Sequence, residues 1–101
     1  MENTYQVYLI SDSTGETLDR IFLALKAQFP NFKSVSHQYS FIRTENQIEK
    51  VLDIIKTKKN SIILYTIVDT ILVKYLFNKC KELNIPCFGV LGDLILRFSK
   101  L

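Results

Sequence analysis

Little in this sequence asks for a covalent or metal framework. Two cysteines, Cys80 and Cys87, are too few for the disulfide lattice of a small secreted domain. One histidine beside them leaves a structural zinc site short of ligands. Three glycines and two prolines exclude collagen-like and low-complexity chains. No apolar run approaches the roughly 18 residues of a helical membrane span. The opening Met1-Glu2-Asn3-Thr4 has no basic stretch leading into an apolar one, so a secretory leader is not expected. Charge of one sign is scarce as well. Thirteen basic against ten acidic residues leave +3, mostly lysine, a surplus too small to call for nucleic acid. The expectation is a cytoplasmic domain with no nucleic-acid and no membrane partner.

Apolar residues are what the chain does have. They make up 48% of 101 residues against 23% charged, enough for one packed core and too apolar for disorder. With no linker and no internal repeat, residues 1–101 read as a single α/β domain. Tyr5 to Ile10 is a short β-branched and aromatic run that stops at Ser-Asp-Ser, which predicts a strand. Leu18, Ile21, Phe22, Leu25 and Phe29 then recur at helical spacing, with Glu16 and Asp19 in the first turn, Lys26 near the end and Pro30 as the stop. Lys33 to Phe41 alternates like a second strand. Thr44 and Gln47 fit a capping box ahead of the stripe Ile48, Val51, Leu52 and Ile55.

Ser61 to Thr66 is apolar throughout its middle, as in a strand covered on both faces. Asp69 or Thr70 caps a third helix whose stripe is Leu72, Leu76, Cys80 and Leu83, and Asn84 ends it. Ile85 to Val90 predicts a fourth strand, and Asp93 to Leu101 a last helical pattern. Alternation with short connections implies an open parallel four-stranded sheet with helices on both faces, and the order 2-1-3-4 is expected. The Leu-rich end (Leu91, Leu94, Ile95, Leu96, Phe98, Leu101) reads either as a helix covering the sheet or as a docking surface of an incomplete unit.

Ligands of open parallel sheets bind beyond the carboxyl ends of the strands, where strand order reverses. That places Ser11-Asp12-Ser13-Thr14-Gly15 and Thr66-Ile67-Val68-Asp69 side by side. The first loop offers three hydroxyls, a glycine permitting close backbone approach and a following helix N-terminus, the chemistry of a phosphate site. The same Ser and Thr also suit an ordinary N-cap. The loop matches neither the dinucleotide nor the P-loop glycine pattern. Asp12, Glu16 and Asp19 crowd that edge with negative charge, so a phosphate there needs a countercharge. Arg43 is the basic residue well placed to give one, and Asp12 with Asp69 offers oxygen ligands to Mg²⁺. Asp69 as a simple helix cap is the competing reading. No metal ligand set follows from spacing. His37, mid-strand, reads as a structural histidine, and both cysteines read as small core hydrophobes.

Val7 to Thr17 (VYLISDSTGET) resembles the opening of the pyruvate, phosphate dikinase / phosphoenolpyruvate synthase regulatory proteins. The likeness returns at Ala27-Gln28-Phe29-Pro30, at Tyr65-Thr66-Ile67-Val68-Asp69, at Ile85-Pro86-Cys87 and at Leu91-Gly92, so it runs along nearly the whole chain. Full members are much longer, and the resemblance is to their N-terminal part. It implies a bifunctional enzyme that phosphorylates a threonine of the dikinase with ADP as donor. The same enzyme removes that phosphate with inorganic phosphate, releasing pyrophosphate. The target carries a phosphate on its catalytic histidine when it is inactivated.

On this reading Ser11, Ser13, Thr14 and Gly15 hold a phosphate with Arg43, and Asp12 is the catalytic carboxylate that orients a metal or accepts a proton. Thr66 and Asp69 form the second wall. ADP and inorganic phosphate are the implied substrates, with Mg²⁺ as a candidate companion. The family's glycine-rich nucleotide loop lies in the later part and has no counterpart among Gly15, Gly89 and Gly92. The implied partners are therefore the dikinase or the synthase, and a separate C-terminal chain or a second copy. The competing expectations are a non-catalytic remnant or docking subunit, and a small phosphate-binding domain of another regulatory type.

Overall fold

The computed structural model describes residues 4–101; the leader reading at Met1 to Asn3 lies outside them. Four strands and four helices alternate: β1 (Tyr5–Ser11), α1 (Glu16–Gln28), β2 (Ser34–Tyr39), α2 (Glu45–Ile55), β3 (Ser61–Thr66), α3 (Thr70–Leu83), β4 (Cys87–Gly89) and α4 (Gly92–Phe98). All pairings are parallel and the order is β2-β1-β3-β4, as expected.

β1 is central because its sequence suits burial on both faces. Val7 through Ser11 are all buried. Alternation along β1 then divides the core. Tyr8 and Ile10, with Ile63 of β3, meet Ile48, Val51, Leu52 and Ile55 of α2 and Leu72, Leu76 and Cys80 of α3. Val7 and Leu9, with Leu64, meet Leu18 and Phe22 of α1 on the other face. The α2 stripe is buried in full, as its spacing predicts.

The α1 stripe is buried only at its start. Ile21 is half-buried, while Leu25 and Phe29 are exposed. They belong to the turns beyond Phe22, the last α1 residue in the core, and with Phe32 they line an apolar groove. Leu83 is exposed in the same way at the end of α3.

Element ends follow local chemistry. Thr44 and Gln47 form the reciprocal capping box, with Gln47 N–H donating to Thr44 Oγ1 at 3.1 Å. Asp69 Oδ1 accepts from Ile71 and Leu72 N–H and caps α3. Asn84, left-handed at φ 62°, closes it. β2 stops at Tyr39, short of the expected Phe41, because Phe41 turns the chain at φ 58°. β4 is three residues long rather than six. No α4 residue is buried, and Leu94, Leu96 and Phe98 are exposed, so α4 does not cover the sheet. Among the described residues no helix is long and apolar enough to cross a membrane.

Candidate functional site

The order 2-1-3-4 brings the β1–α1 and β3–α3 loops to one rim. They are bonded to each other there. Asp12 N–H donates to Thr66 O at 3.2 Å, and Val68 N–H donates to Asp12 Oδ2 at 2.9 Å. The β2–α2 segment closes the third side. Ile42 N–H donates to Ser11 O and Phe41 N–H to Ser13 O, both at 2.9 Å, and Ser40 Oγ donates to Thr14 O at 2.9 Å. Ser11, Ser13 and Thr14 are thus each fixed through their carbonyls.

Ser11 is buried at 1% exposure, and its Oγ accepts from Ser13 N–H at 3.1 Å and lies 3.3 Å from Ser13 Oγ. Its hydroxyl shapes the loop from within. Ser13 and Thr14 are exposed. Gly15 is the N-cap of α1 at φ 85°, a left-handed conformation that glycine adopts without strain. Space is not the constraint: a Cβ at Gly15 would meet Ser40 Oγ at 3.4 Å. With glycine in that place α1 has no side-chain cap. Only Glu16 N–H finds a hydroxyl nearby, Thr14 Oγ1 at 3.4 Å. The N-cap role expected of Ser or Thr is therefore not filled, in contrast to α2 and α3. The first turn of α1 presents N–H groups and the positive end of its dipole to this rim.

Arg43 reaches the same place. Its Nε donates to Asp12 O at 2.9 Å, and the guanidinium lies over the Phe41 ring, 5.2 Å from the centroid. Its backbone N–H is held by Gln47 Oε1 at 2.6 Å. Asp12, Arg43, Ile67, Val68, Asp69 and Leu72 line an open cavity of about 520 Å³. Two of the walls are carboxylates, each with one oxygen committed: Asp12 Oδ2 to Val68 and Asp69 Oδ1 to the α3 cap. Asp19 is turned aside by Gln38, whose Nε2 donates to its Oδ1 at 2.8 Å.

Ser11, Asp12, Ser13, Thr14, Gly15, Arg43, Thr66 and Asp69 are thus all brought to one rim. Reasoning from the sequence placed Val68 in the facing loop without a role and gave none to Ser40 or Phe41. Val68 acts through its N–H, Ser40 through its hydroxyl, and Phe41 through its N–H and the ring beneath Arg43. His37 lies away from this rim, half-buried, with Nε2 2.7 Å from Gln6 Oε1 and its ring stacked on Tyr8. Cys80 is buried in the core and Cys87 packs against it. The hydrogen bond with Cys80 and burial together push the Cys87 thiol up, so it stays protonated. Among the described residues no cluster of three or more His, Cys, Asp or Glu is arranged around a metal position.

Residues 7–101 match the kinase/pyrophosphorylase family. A relative in Pelagibacter ubique, named as a pyruvate, phosphate dikinase regulatory protein, is 65% identical over the whole chain, which covers 37% of the relative's length. Proteins of the same name in Agrobacterium fabrum and Bradyrhizobium diazoefficiens are 43% and 38% identical. These alignments take in 94% and 96% of this chain and 36% and 34% of those proteins. The chain spans about a third of the length of the curated relatives it matches.

Proposed function

Because this chain belongs to the kinase/pyrophosphorylase family, we propose that it is the phosphate-handling portion of a cytoplasmic regulator of pyruvate, phosphate dikinase or phosphoenolpyruvate synthase. The reaction is transfer of a phosphoryl group from ADP to a threonine hydroxyl of the target, leaving AMP. Its counterpart is attack of inorganic phosphate on that phosphothreonine, which restores the hydroxyl and releases pyrophosphate. The observation that carries the reading is the start of α1 without a side-chain cap, with Arg43 bonded to the loop that leads into it, at the rim where β1 and β3 end.

Phosphoryl transfer depends on positioning and on charge stabilisation around the phosphate oxygens. Ser13 and Thr14 donate hydroxyl hydrogens, and the N–H groups of the first α1 turn add their dipole. Arg43 keeps its terminal nitrogens for an anion while Nε is tied to the loop. Ser11 and Gly15 set the loop shape, and Asp12 locks it to Val68. Asp12 keeps one carboxylate oxygen to orient or deprotonate an attacking group, and Thr66 fixes the Asp12 backbone. The uncommitted oxygens of Asp12 and Asp69 are hard donors of the kind Mg²⁺ takes, and that ion when bound neutralises phosphate charge. The nucleotide-binding glycine-rich loop is assigned to the length that the relatives have beyond this third, supplied in the same or another polypeptide.

A second reading is favoured by one observation. Leu94, Leu96 and Phe98 of α4 are exposed together, which suits a non-catalytic subunit that docks on another chain. The discriminating experiment supplies His-phosphorylated dikinase, ADP labelled at its β-phosphate and the purified chain, with and without the C-terminal remainder of the Pelagibacter relative. Label on the dikinase threonine only when both parts are present, lost in Ser13→Ala and Arg43→Ala, supports the enzymatic reading. Docking of the two parts with no transfer supports the second.

A further inference from the structure

The opposite rim of the sheet carries a second cavity, about 530 Å³, that the family reading does not use. It lies where β1 begins, five residues and about 17 Å of strand from Ser11. We propose that this cavity binds a phosphate-bearing small molecule, through Lys58 and Lys59 at its mouth and Gln6 and His37 in its floor.

Among the described residues the charge is one-sided: Lys58 and Lys59 come from the α2–β3 loop and line the cavity, and none of the described lining residues is a carboxylate. Neither ammonium forms an ion pair among the described residues, whereas Lys56 is paired with Asp53 and Lys79 with Glu49. The backbone that carries the lysines is fixed. Lys58 N–H donates to Ile55 O at 2.9 Å, Asn60 turns at φ 55°, and Gln6 N–H donates to Asn60 O at 2.8 Å.

The floor is ordered in advance. The Tyr8 and His37 rings stack with centroids 4.8 Å apart and planes within 17°. Gln6 Oε1 can only accept, so His37 Nε2 carries the proton in their 2.7 Å hydrogen bond. That leaves the Gln6 amide N–H₂ as a donor. Two ammonium groups and an amide, lining one cavity with the stacked Tyr8 and His37 rings, match an acceptor-rich phosphate joined to a flat or apolar body. Such rigid placement lowers the ordering cost of binding. The inference stands on this geometry alone and does not rest on the proposed transfer reaction.

The test is a residue-resolved NMR titration of the isotopically labelled full chain with phenyl phosphate at physiological salt. The expected result is saturable movement of the Lys58, Lys59 and Asn60 amides and of the His37 ring, with a dissociation constant of about 1 mM or tighter. The doubly substituted Lys58→Ala, Lys59→Ala chain should bind about tenfold more weakly. A thermal melt of that variant checks that it is folded. Ser13→Ala should leave these particular shifts unchanged. Shifts that never saturate, that survive loss of both lysines, or that are confined to Ser13 to Thr17 would overturn the proposal.

Discussion

Asp12 and Val68, 56 positions apart in sequence, are joined by a 2.9 Å hydrogen bond from the Val68 N–H to Asp12 Oδ2. That bond couples the two loops at the rim, so the shape of the candidate site depends on it. Asp12→Ala removes the acceptor and leaves the Val68 N–H without its partner. The expected loss is about 1–2 kcal/mol, or roughly 5–10 °C in melting temperature for a domain of this size. Asp12→Asn keeps an amide oxygen for Val68 and should recover most of that loss. Thermal denaturation of the two variants checks it. Equal destabilisation by both would show that charge, not the hydrogen bond, holds the loops.

Gly15 is required by its backbone angle rather than by crowding. At φ 85° an alanine costs about 1–2 kcal/mol, while the space around the new Cβ is of ordinary contact distance. Gly15→Ala should therefore destabilise measurably and still fold. Gly15→Asn should be milder, since asparagine tolerates the left-handed region better. Urea denaturation of the three proteins ranks them.

The three long helices should respond unequally to loss of the hydroxyl or carboxylate at or just before their N-caps. Thr44→Ala breaks the capping box of α2 and should cost about 1 kcal/mol. Asp69→Ala removes two hydrogen bonds at the start of α3 and should cost as much or more. Thr14→Ala loses only a 3.4 Å contact to Glu16 and should be within about 0.5 kcal/mol of the parent. A Thr14→Ala loss as large as that of Thr44→Ala would mean that α1 is capped after all.

Tyr75 supplies a pH signature where α3 meets α2. Its hydroxyl donates to Glu49 Oε2, and that hydrogen bond to a carboxylate pushes the phenol up from 10.0 to about 12. The folded state thus holds the proton more tightly than the unfolded chain. The contribution is complete below pH 10 and is lost as pH rises from 10 towards about 12. Tyr75→Phe should flatten the fall in stability over that interval. Denaturation curves of parent and variant on either side of pH 10 compare the two slopes, and identical slopes would contradict the assignment.

Much of this architecture is legible in the residues because local and tertiary preferences agree. The apolar run Tyr5–Ile10, the Thr44–Gln47 box and the stripe Ile48, Val51, Leu52, Ile55 each point to what is found. Strand–helix alternation points to the parallel sheet, and with the order β2-β1-β3-β4 Asp12, Arg43 and Asp69 meet at one cavity. What stays hidden is made by backbone. Gly15, not Ser or Thr, occupies the N-cap position of α1 and leaves it without a side-chain cap, because the choice rests on a dihedral angle. Val68 and Phe41 contribute N–H groups, which every residue but proline possesses, so no side-chain pattern marks them. The exposure of Leu25 and Phe29 depends on where α1 lies over the sheet, a tertiary quantity that helical spacing cannot encode.

The central claim is that the uncapped start of α1, with Arg43, grips a phosphate. Residue-resolved NMR of the labelled chain titrated with pyrophosphate in the presence of Mg²⁺ tests it most directly. The account predicts saturable shifts of the Ser13 to Thr17 amides and of the Arg43 side chain, weakened about tenfold in Ser13→Ala and in Arg43→Ala. Unmoved amides from Ser13 to Thr17, or shifts of equal size and affinity in both variants, would contradict it.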